Sequence, residues 1–90
     1  MVKAVVDARQ GIMAIGGELH ADEEVLLTET AGSAREDTWG INLYPKQEED
    51  WIEFDSMVNL KPSFGNRSRG VENAEVREKI LSIVRALILP

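Results

Sequence analysis

Two short runs near the N-terminus, Val2–Asp7 and Gly11–Gly17, are apolar on both of their faces, and this constrains the fold more than any other feature. Val2, Ala4 and Val6 alternate with Val5; Ile12 and Ala14 alternate with Met13 and Ile15. Successive strand side chains point to opposite faces, so such strands need cover on both sides, from helices or from another subunit. Ala8-Arg9-Gln10 suits a hairpin turn between them, and Gly16 and Gly17 end the second strand or allow close backbone approach.

Downstream, Asp22 is placed to cap a helix over Glu23–Ala31, with Glu23 and Glu24 in the first turn, where the helix dipole favours negative charge. Val25, Leu26, Leu27 and Ala31 give this helix an apolar side, and Gly32 supplies a left-handed stop. The β-branched content keeps a strand open for Glu24–Thr30. Thr38–Tyr44 alternates Trp39, Ile41 and Leu43 with Gly40, Asn42 and Tyr44, and Pro45 ends it. Trp51–Lys61 alternates Ile52, Phe54, Ser56, Val58 and Leu60 with Glu53, Asp55, Met57, Asn59 and Lys61, which predicts a strand with one buried face. Ser63–Gly70 is rich in turn residues. Asn73 caps a last helix running to Leu89, whose positions Val76, Ile80, Ile83, Val84, Leu87 and Ile88 recur at helical spacing. The order ββα, twice, predicts an α+β fold: a four-stranded, mostly antiparallel sheet with two helices packed on it, and Ile80 and Val84 central in the core.

Ninety residues make a single domain, 1–90, that buries only about 60–65% of its unfolded surface, which leaves little room for a large cleft. The chain has no cysteine, hence no disulfide framework and no thiol nucleophile. An acid at position 7 interrupts any signal-peptide core, and the longest apolar stretch, Ile83–Pro90, is broken by Arg85 and far short of the ~20 residues that span a bilayer. The expectation is a cytoplasmic protein without a membrane partner. A net charge of −6 argues against nucleic acid. That charge is unevenly spread: residues 18–55 hold twelve acids against Arg35 and Lys46, a net of −10, and the remainder carries +4.

Three groups of residues are candidates for chemistry. Ile15–Glu24 packs a glycine pair, four carboxylates and the only histidine into one junction. Were Glu18–Asp22 extended, Glu18, His20 and Asp22 would share a side and offer a ligand set for a divalent metal or an acid–base pair. The alternative is structural, with Asp22 as cap and His20 packed on the first turn. Gly65-Asn66-Arg67-Ser68-Arg69-Gly70 precedes a helix and is the only basic cluster; it suits a small anionic ligand such as a phosphate, although it lacks a Walker pattern. Its alternative is a loop whose arginines pair with nearby acids. Asn42, Tyr44, Glu53 and Asn59 lie on polar strand faces that line a shared groove or an ordinary solvent face. No serine has a nucleophile-elbow context.

Val-Val-Asp at 5–7, Gly-Gly-Glu-Leu-His-Ala-Asp at 16–22, Trp-Gly-Ile-Asn-Leu-Tyr-Pro at 39–45 and Gly-Asn-Arg-Ser at 65–68 together resemble a family of small, functionally uncharacterised bacterial and archaeal proteins, a domain of unknown function. The resemblance covers nearly the whole chain and implies no activity, cofactor or catalytic residue.

These readings lead to a binding or protein-interaction module without catalysis. A small-anion or nucleotide binder using Gly65–Gly70 is one alternative, and an enzyme centred on Glu18, His20 and Asp22 is the other. Self-association as a homodimer is expected from the two-sided strands, from the apolar end Ala86–Pro90 and from the split charge.

Overall fold

The computed structural model describes residues 1–88. Strands β1 (Val2–Asp7), β2 (Ile12–Ile15), β3 (Thr38–Leu43) and β4 (Ile52–Glu53) form one antiparallel sheet in the order β2-β1-β3-β4. Helix α1 (His20–Ala31) follows β2 and helix α2 (Ala74–Leu87) ends the described chain, with short 3-10 turns at Arg35–Asp37, Met57–Asn59 and Pro62–Phe64. This is the expected ββαββα order and α+β class.

The two-sided strands are covered on both faces. Ala4, Val6, Trp39, Ile41 and Leu43 point to one face and pack with Ile80 and Val84 of α2. Ile80 and Val84 are fully buried, so α2 is held by its helical stripe, and Asn73 caps it by accepting from the Glu75 and Val76 N–H groups. Full burial of one such side chain is worth about 1.5–3 kcal/mol, which makes this face the main core. Val5, Ala14 and Leu27 of α1 form a smaller cluster on the other face. Leu89, where the last helix was expected to end, lies outside the described residues, as does Pro90.

Two expectations are corrected. Helix α1 begins at His20, three residues before the expected start, and Asp22 sits in its first turn rather than at the cap. Its inward side is His20, Glu23, Glu24, Leu27 and Ala31, while Val25 and Leu26 stay about half exposed (50% and 53%). Half of the expected apolar side, Val25 and Leu26, therefore faces outward. The second correction concerns Trp51–Lys61, of which only Ile52–Glu53 is strand. Ser56 and Val58 are buried as expected, but in a 3-10 turn, because beyond Glu53 the edge of β3 is bonded by side chains instead of by a neighbouring strand.

Candidate functional site

Strand phase explains those side chains. Even-numbered residues of β1 bond to odd-numbered residues of β3, as in Ala8 N–H to Asp37 O at 2.9 Å, so Thr38, Gly40 and Asn42 turn their backbone groups to the outer edge. Asn42 faces Glu53 of β4. Gly40 is met by the Asn59 side chain: Oδ1 accepts from Gly40 N–H at 2.8 Å and Nδ2 donates to Gly40 O at 3.0 Å. The Thr38 carbonyl accepts from the Lys61 ammonium, which also donates to Arg35 O and lies 4.3 Å from the centre of the Trp39 ring. Burial pulls Lys61 down to about 8, against the charges of Glu24, Asp37 and Glu36, which raise it.

Asn66 fixes the following loop in the same manner. Its Nδ2 donates to Asn59 O and Gly70 O, both at 2.7 Å, and to Ser68 O at 3.1 Å, while Oδ1 accepts from Glu72 N–H. Asn66 is almost fully buried, so its amide is engaged within the loop. Arg69 pairs with Asp55 at 2.7 Å, and the Arg67 guanidinium projects from the exposed loop with no partner among the described residues.

At the start of α1, His20 Nε2 donates to the carbonyl of Ile41 at 2.8 Å; a carbonyl only accepts, so this nitrogen carries the proton. Glu18 and Asp22 are exposed. Helical phase takes His20 inward and Asp22 outward, so the three do not share a side. His20 makes no hydrogen bond to Glu53, Asn66 or Arg67, and no group of three or more His, Cys, Asp or Glu side chains placed to hold a metal ion occurs among the described residues. Glu23 is buried instead, 3% exposed. Its Oε2 accepts from Gly17 N–H at 2.9 Å, and its Oε1 is buried without a partner. Burial pushes its carboxyl up to about 7, against the Gly17 N–H and the Lys3 charge, which lower it.

Of the expected groove, Asn42, Tyr44 and Glu53 come together: Asn42 Nδ2 and Tyr44 OH both donate to Glu53 Oε1, at 2.9 and 3.1 Å. The bond to Glu53 raises the Tyr44 hydroxyl above its ordinary range. Asn59 lies apart, on Gly40.

Asp7, Glu23 and Lys61 were not singled out as sites, yet they are the buried ionisable groups of highest consequence. Burial alone would raise the Asp7 carboxyl, but bonds from Ser33, Gln10 and Arg9 outweigh it and hold it below the usual range while pinning the β1–β2 turn. No sequence signal marks Lys61, because the alternation sets it with Glu53 and Asp55, opposite the face expected to be buried.

One open cleft of about 450 Å³ lies between the Arg35–Asp37 turn, the loop and the start of α2. Glu36, Asp37, Trp39 and Phe64 line it, so its ionisable lining is acidic. No helix among the described residues is long and apolar enough to cross a membrane.

A family model described as a protein of unknown function (DUF5674) matches residues 1–87. No curated protein and no solved structure matches the chain.

Proposed function

The chain belongs to this family of unknown function, and we propose that it is a small protein-interaction module without catalysis that associates with a second copy of itself. The observation that carries this reading is the inverted α1: His20, Glu23 and Glu24 face the sheet, and Val25 and Leu26 face outward. Ile15 and Leu19 are also more than half exposed. Apolar surface of this kind marks association sites more often than idle surface. The polar residues that first suggest a site are meanwhile occupied in holding the fold. His20 is bonded to β3, Asn59 to its edge, and Asn66 to its own loop.

A melting-temperature panel with divalent metal ions, phosphate, sulfate and nucleotides tests the reading. A bound small ligand raises the melting temperature as its concentration passes Kd. We expect no rise. A saturable rise with phosphate or a nucleotide, abolished by Arg67→Ala, would overturn the reading in favour of the Gly65–Gly70 loop. A rise with a metal ion, abolished by His20→Ala, would overturn it in favour of an acid–base or metal site at the start of α1.

A further inference from the structure

The two edges of the sheet are treated differently. At the β3 edge, the side chains of Asn59 and Lys61 take over where β4 stops, so Thr38 O and both backbone groups of Gly40 are bonded. At the other edge lies β2, Ile-Met-Ala-Ile, which holds no charge and no proline and has no further strand beside it among the described residues. Proteins protect open edges with just such charges and prolines. Odd-numbered residues of β1 bond to β2, as Gly16 N–H does to Lys3 O at 3.1 Å. Ala14 and Ile12, opposite Val5 and Asp7, therefore bond inward. Met13 and Ile15, opposite Val6 and Ala4, turn their N–H and C=O groups outward, where no group among the described residues bonds them.

We infer that β2 is the homodimer interface: two copies pair antiparallel through this edge, with Ala14 on the two-fold axis. This deepens the interaction reading and rests on it. An antiparallel pair centred on Ala14 sets Met13 of one chain opposite Ile15 of the other. Those are the two residues whose backbone groups point outward, so each pair exchanges both of its hydrogen bonds. The side chains match as well. Met13 and Ile15 lie on the same face, so the exposed half of Ile15 is covered by the partner's Met13. Alanine on the axis allows close approach, and one step further Ile12 meets Gly16, which has no side chain to clash. The interface is isologous, as a closed dimer requires, and it joins the two sheets into one.

Cross-linking tests the register, because the chain has no cysteine of its own. Ala14→Cys places two thiols across the axis in a non-hydrogen-bonded pair, within disulfide range. Under mild oxidation we expect a covalent dimer from A14C and none from Met57→Cys, which is exposed elsewhere. Ile15→Lys alters an exposed side chain and so leaves the fold intact; we expect it to shift the dimer to monomer, at least tenfold in Kd. A dimer in sedimentation that gives no A14C cross-link and tolerates I15K overturns the β2 interface and leaves the interaction reading standing. A folded wild-type chain that stays monomeric at high micromolar concentration overturns both.

Discussion

Asn59 pairs its side-chain amide with both backbone groups of Gly40, accepting at 2.8 Å and donating at 3.0 Å, and so takes the place of a strand residue that the chain does not supply. The same Nδ2 donates to Arg69 O at 2.8 Å, tying the loop to the sheet edge. The approach is close because Gly40 has no side chain: a Cβ there would lie 2.5 Å from the Ser56 Cβ. A buried backbone donor or acceptor left unpaired costs about 1–3 kcal/mol. Asn59→Ala strands both Gly40 groups, and we expect a loss on the order of 3 kcal/mol in urea unfolding. Gly40→Ala should destabilise as well, through the clash with Ser56. A change below about 0.5 kcal/mol for Asn59→Ala would contradict the edge-completing role.

Glu23 gives the domain a pH dependence of definite sign. Its carboxyl titrates near 7 in the folded chain against an ordinary value of 4.5. Between those pH values the native state holds a proton that the unfolded chain has released. This group's stabilising contribution is therefore complete below pH 4.5 and is lost as pH rises through about 7, by a few kcal/mol as an order of magnitude. Glu23→Gln keeps an acceptor for the Gly17 N–H and carries no charge. We expect it to remove the decline and to melt higher than wild type at pH 8. An unchanged slope in the variant would place the titration elsewhere.

Lys61 works in the opposite direction. Its folded value of about 8 lies below the ordinary 10.5, so between these values the unfolded chain binds the extra proton and stability rises with pH across that window. Lys61→Met preserves the stem but leaves the Thr38 and Arg35 carbonyls without the ammonium. We expect a loss of about 1–3 kcal/mol at pH 7 and a flat profile from pH 8 upward. A variant as stable as wild type at pH 7 would mean the carbonyls find other partners.

Much of this architecture is legible in the residues, and the misreadings have physical causes. Helix α2 could be read because Ile80 and Val84 fall on one stripe behind an asparagine cap. The first two strands could be read because alternating apolar residues leave few other options. The alternation from Ile52 to Leu60 is misleading: Ser56 and Val58 are buried, but a polar side chain next to its end, Asn59, replaces the backbone ladder, and period alone does not distinguish the two. In α1, pattern reading assigns the inward side to Val25 and Leu26. Hydrogen bonds from His20 to Ile41 O and from Thr38 to Glu24 set the helix rotation instead. The polar triplet Glu18, His20 and Asp22 dissolves for the same reason, since helix begins at His20. The Asn42, Tyr44 and Glu53 cluster was legible because all three lie on adjacent strands or just beyond them.

The most direct test of the interaction reading is sedimentation equilibrium of the unmodified chain over a range from nanomolar to high micromolar concentration. We expect twice the chain mass at the upper end, falling to the chain mass on dilution. The chain mass at every concentration would contradict self-association and leave the exposed side chains of Ile15, Val25 and Leu26 without the partner assigned to them.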